Sequence, residues 1–77
     1  MRVPKRRDHV QTALGSKVRQ LRTGRGWTQE VLAERATLDR SYIAGIEAGL
    51  RNPSLKSLVK VAKALGVSLS GLFEDLK

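Results

Sequence analysis

The sequence predicts an all-α fold of five short helices, and three observations carry that prediction. Apolar residues recur at helical spacing along most of the chain, and no credible strand interrupts them. Residues suited to capping a helix N-terminus (Asp8, Thr28, Asp39, Ser54 and Ser68) each stand directly before such a stretch. Glycines at positions 24, 26, 49 and 66 stand where the stretches stop.

Residues 1–8 read as a flexible basic arm and residues 9–77 as the folded domain, because Pro4 and Lys5-Arg6-Arg7 offer no apolar periodicity. Asp8 suits the cap of helix 1, and Gln11, three residues on, completes a capping-box pattern. Val10, Leu14, Val18 and Leu21 then share one helical face, which gives a first helix over about residues 9–23. Thr28 suits the N-cap of the second helix, and Glu30 sits favourably in its positive first turn. Val31, Leu32 and Ala36 make an apolar side, and Ala33 keeps one contact point small. Thr37 and Leu38 leave that helix, and Asp39 caps the third, which runs from Arg40 to Ala48, buries Ile43 and Ile46 and ends at Gly49. Arg51-Asn52-Pro53 is a turn. Ser54 caps the fourth helix, with Leu55, Leu58, Val61, Ala62 and Leu65 inward and Lys56, Lys60 and Lys63 outward. Gly66 ends it, and Ser68 caps a last short helix bearing Leu69, Leu72, Phe73 and Leu76.

Composition narrows the function. Seventy-seven residues make one small domain, near the size at which a single apolar core barely suffices. Without cysteine, neither a disulfide nor a cysteine-ligated metal can supplement that core. No apolar run is long enough to span a membrane or to act as a secretory signal, so the chain is expected to stay in the cytoplasm. One histidine and seven scattered acids supply no nucleophile–base pair and no metal cluster, so neither an enzyme nor a cofactor is expected. Fifteen Lys and Arg against seven Asp and Glu leave a net charge of +8, which favours a polyanionic partner. An acidic membrane surface also fits the charge, but no helix pairs a basic face with Trp or Phe anchors. The tight turn between the second and third helices is the sequence form of a helix-turn-helix, which offers its second helix to a DNA major groove.

The runs VRQLR, GWTQ, LAERA, SYIAGIEAG and NPSLKSLVKVAKALGVSLSGLF, taken together, resemble the phage-repressor-like helix-turn-helix family, the Cro/C1 or XRE type, over residues 14–74. Within it, LDRSYIAGIEAGLRNPSLKSL looks most like the controller proteins of restriction–modification systems, which are small dimeric transcription regulators. The resemblance implies a five-helix phage-repressor-like domain that binds double-stranded operator DNA. It places the third helix in the major groove, with Arg40 reading guanine and Ser41 donating to a base or phosphate. A solvated Arg40 paired with Asp39 is the competing reading. Tyr42 either touches a phosphate or thymine methyl, or packs half-buried on the second helix. Gly45 costs about 1 kcal/mol inside a helix, so it marks either close approach of backbone to DNA or tight packing on another helix.

Gln29, at the start of the second helix, matches a family position that grips phosphate. Arg51, Asn52 and Ser57 are further candidates at the mouth of the fourth helix, while for Arg25 and Lys17 a solvated surface competes with phosphate contact. Arg2, Lys5, Arg6 and Arg7 either follow the DNA backbone or are disordered. The family pattern also implies a partly buried ion pair between Arg22 and Glu47, and Trp27 is expected to pack between the first two helices. The C-terminal helix is more apolar than folding one small domain requires, which points to a homodimer on a pseudo-palindromic operator, with a monomer bearing an apolar tail as the competing reading. An antitoxin that also engages a partner protein, and a nonspecific nucleic-acid binder, are the competing functions.

Overall fold

The computed structural model describes the backbone of residues 5–74 and the side chains of residues 9–74. It contains five α-helices: α1 (Lys5–Thr23), α2 (Gln29–Ala36), α3 (Arg40–Glu47), α4 (Leu55–Leu65) and α5 (Leu69–Leu72). No strand occurs among the described residues. α1 packs on α3 and α5, α2 packs on α3 and α4, and α4 packs on α5.

The helix starts follow the expected caps, with two exceptions. Thr28 Oγ1 accepts from the Val31 N–H at 3.2 Å, Ser54 Oγ from Ser57 N–H at 3.1 Å and Ser68 Oγ from Gly71 N–H at 3.0 Å. Asp39 occupies the N-cap of α3 with extended backbone, but its side chain makes no capping bond. α1 begins at Lys5 rather than near residue 9, so Asp8 stands inside the helix and not at its N-cap position. Lys and Arg are good helix formers, and they carry the helix back beyond the first apolar position. Residues 1–4 of the expected arm, and Leu76, lie outside the described residues.

The core gathers Leu14 and Val18 from α1, Leu32, Ala33 and Ala36 from α2, Ile43 and Ile46 from α3, Val61, Ala62 and Leu65 from α4, and Leu72 from α5. Two expected core residues miss it: Val10 is 49% exposed and Leu55 is 66% exposed. Both sit at the outer end of their stripe, where the neighbouring helices no longer cover the face. On α5 the reverse holds. Leu72 is fully enclosed, and Leu69 and Phe73 lie partly buried against the core, so most of the apolar surface of this helix closes the domain.

Two backbone features set how α3 lies against its neighbours α2 and α1. Thr37 ends α2 in the left-handed region at φ 59°, and its N–H returns to the Ala33 and Glu34 carbonyls. It is the sole non-glycine with positive φ among the described residues. Gly15 lets α1 lie directly on the end of α3: a Cβ there would stand 2.7 Å from the Glu47 carbonyl oxygen and closer still to that of Ile46.

Candidate nucleic-acid interface

α3 is short and turned outward at its start. Arg40 and Ser41, its first two residues, are exposed, while Ile43 and Ile46 fix the opposite side in the core. The helix therefore presents its N-terminal side chains at the surface on a rigid base, as reading base edges requires.

Arg40 is held from α2, not by Asp39. Its Nη1 donates to Gln29 Oε1 at 3.0 Å, and its Nε lies 3.9 Å from Glu30 Oε2. Gln29 in turn donates through Nε2 to Glu47 Oε1 at 3.1 Å. Glu47 receives Arg22 bidentately, with Nε to Oε2 at 2.7 Å and Nη2 to Oε1 at 3.0 Å. The remaining Arg22 Nη1 donates to the Trp27 carbonyl at 2.6 Å. The expected Arg22–Glu47 pair thus exists, with side chains 11% and 4% exposed. The hydrogen bond to Glu47 raises the Arg22 pKa above its ordinary value against the opposing effect of burial, so the guanidinium stays charged. From this anchor a continuous polar chain runs through Gln29 to the exposed Arg40.

Tyr42, Gly45 and Arg51 form a second unit. The Arg51 guanidinium lies over the Tyr42 ring, 5.1 Å from its centroid. The stem of Arg51 crosses Gly45 so closely that a Cβ there would stand 2.5 Å from Arg51 Cγ. The space beside Gly45 is thus taken by a side chain from the following loop and not by another helix, as the packing explanation expected. Tyr42 is partly buried against the core, and one part of it stays available to carry Arg51.

At the start of α4, Ser57 is paired with Ser54, whose hydroxyl donates to Ser57 Oγ at 3.0 Å. Asn52 is exposed, and like Ser41 it has no side-chain partner among the described residues. Arg25 is exposed, as a surface reading expects, but its guanidinium is tied to the backbone, and Lys17 is largely covered. Arg25 donates to the carbonyls of Leu21 and Leu65, and Lys17 lies 3.8 Å from Glu74 with its side chain 16% exposed. Trp27 packs against the core, with the Arg35 guanidinium 4.5 Å from its ring centroid. Sequence reasoning passed over Arg19, which lines a cleft with Arg22, Gln29, Ala44, Glu47 and Ala48. Its side chain follows no apolar pattern, so only the fold brings it to this face.

The sequence model of the helix-turn-helix family matches residues 18–72, from the last third of α1 to the end of α5. The chain belongs to this family, in its Cro/C1 (XRE) type. The control protein C.MunI of Mycoplasma sp is 39% identical over 69 residues, covering 88% of this chain and 93% of the relative. The restriction–modification controller protein C.AhdI from Aeromonas hydrophila matches with a TM-score of 0.80 and 44% identity, over 82% of this chain and 96% of that one. The controller protein C.Esp1396I, solved as a tetramer in complex with its natural 35 base-pair operator, matches with a TM-score of 0.77 and 40% identity over 84% and 86% of the two chains. Against the longer immunity repressor of Bacillus phage phi105, 46% identical over 59 residues, the match covers 77% of this chain but 41% of the relative. For a helix-turn-helix protein of this type, α2 and α3 are the motif, and the polar chain from Arg22 to Arg40 runs through its middle.

Proposed function

We propose that this helix-turn-helix protein is a sequence-specific, double-stranded DNA-binding transcriptional regulator of the restriction–modification controller kind, and not an enzyme. Its place of action is the cytoplasm, and no described helix is long and apolar enough to cross a membrane. The observation that carries the reading is Arg40, exposed at the first position of α3 and aimed by the Gln29 amide. A guanidinium so placed suits the O6 and N7 edge of guanine, and Ser41 beside it donates to a base or phosphate. Gln29, Asn52 and Ser57 flank it as phosphate contacts, with Tyr42 and Arg51 on the adjoining surface. The two full-length controller-type matches support the narrower assignment.

The operator is a pseudo-palindrome bound by a homodimer, whose two copies of α3 lie about 34 Å apart, one turn of DNA. Leu69 and Phe73 are only partly covered by the domain's own core, and the apolar surface they leave is what dimerisation through the C-terminal helix would use. Footprinting on the DNA upstream of the protein's own gene defines the operator. Equal affinity for that operator and for a random duplex, measured at one salt concentration, would sink the claim of specificity.

A further inference from the structure

We propose that Arg19 is a further DNA-contact residue: a phosphate clamp on α1, outside the helix-turn-helix, at a cleft that seats the backbone strand passing beside Arg40. The proposal rests on the DNA-binding reading above and adds to it a residue and a site.

Arg19 stands apart from every other arginine whose side chain is described. Arg22 is bound to Glu47, Arg25 to two carbonyls, and Arg40 to Gln29. Arg35 stacks on Trp27 and Arg51 on Tyr42. Arg19 is exposed and has no ion pair, hydrogen bond or ring contact among the described residues. A carboxylate does lie in the same cleft, yet it does not hold Arg19. Both oxygens of Glu47 already accept, Oε2 from Arg22 and Oε1 from Arg22 and Gln29. Two arginines against one such carboxylate leave the cleft positive, with one guanidinium unsatisfied.

The cleft has a volume of about 240 Å³, and it is joined to the reading edge through Gln29, which lines it and holds Arg40. Ala44 and Ala48, which form its α3 wall, follow Arg40 at intervals of four residues and so share its stripe on the helix. Their methyl groups leave room for a bulky anion where longer side chains would fill the space. With Arg40 in a groove as proposed above, a DNA strand bordering that groove would pass this opening. A free guanidinium at its rim offers a planar fork of donors to phosphate oxygens. Gln29, lining the same cleft, adds the amide hydrogen that Glu47 does not take.

The test measures affinity against salt concentration for the wild type, Arg19→Ala and Arg19→Lys. The probes are a random-sequence duplex of about two helical turns and, once footprinted, the operator. Arg19→Ala is expected to weaken both duplexes about tenfold at moderate salt. It also reduces the slope of log affinity against log salt by about 0.9 per protomer. Arg19→Lys keeps the charge and therefore keeps the slope. Because Arg19 is exposed and unpartnered, the thermal midpoint stays at the wild-type value in both variants. Unchanged affinity and slope in Arg19→Ala overturns the proposal, and so does a loss confined to the operator at unchanged slope, which marks a base contact. A wild type that binds neither duplex refutes the DNA-binding reading instead.

Discussion

Arg40 and Gln29, eleven residues apart, are joined side chain to side chain at 3.0 Å, and the direction of that bond is fixed from below. Glu47 can only accept, so Gln29 must turn its NH2 toward it and its carbonyl oxygen toward Arg40, which can only donate. Gln29 is then both a candidate phosphate contact and the support of the candidate base reader. Arg40→Ala is expected to cost about 1–3 kcal/mol on the operator and little on a random duplex. Gln29→Ala is expected to weaken both and also to narrow the gap between them. Competition binding with the two duplexes at fixed salt separates these outcomes.

Gly15 and Gly45 respond oppositely to alanine. At Gly15 the new Cβ meets the carbonyls of Ile46 and Glu47, which are backbone and cannot rotate away. Gly15→Ala should lower stability by about 2–3 kcal/mol despite its better helix propensity. At Gly45 the obstacle is the Arg51 stem, which swings aside. Gly45→Ala should therefore hold or raise stability, by up to about 1 kcal/mol, while it displaces Arg51 from Tyr42 and weakens DNA binding. Urea denaturation together with a binding titration checks both halves.

The Arg22–Glu47 pair is buried enough for its loss to matter. Glu47→Ala strands a guanidinium and should cost about 3–5 kcal/mol, a large share of the 5–15 kcal/mol typical of a whole domain. Replacing both residues, Arg22→Met with Glu47→Leu, should be milder than either single loss, because no unpaired charge remains. Chemical denaturation midpoints of the three variants decide it.

Thr37 sits in the left-handed region at a cost of about 1–2 kcal/mol. Glycine relieves this and returns part of the gain through its looser unfolded chain. Thr37→Gly should raise the melting temperature by roughly 3–6 °C. Thr37→Ala keeps a Cβ and should gain much less, so equal melting of the two variants would refute the strain account.

Helical periodicity made α2, α3 and the core legible, because Leu32, Ile43, Ile46, Val61 and Leu72 each report the face of their own helix. It does not show which partner covers that face, and so it points Val10 and Leu55 inward although both lie exposed. The Arg22–Glu47 pair was readable only through family resemblance, since nothing local links residues so far apart in the chain. Its extension through Gln29 to Arg40, and the seat of Arg51 on Gly45, depend on how α2, α3 and the loop after α3 come together. Nothing in the periodicity of the first helix singles out Gly15, because close approach is a property of two helices and not of one.

The folded-back Arg51 bears on how this protein's preference can be altered by design. Grafting α3 alone onto a related scaffold would carry Arg40, Ser41 and Tyr42, but leave behind the loop side chain that lies across Gly45 and the Gln29 that steadies Arg40. If Arg40 reads the operator as proposed, the portable unit of specificity is discontinuous in sequence and comprises Gln29 together with the segment from Arg40 to Arg51.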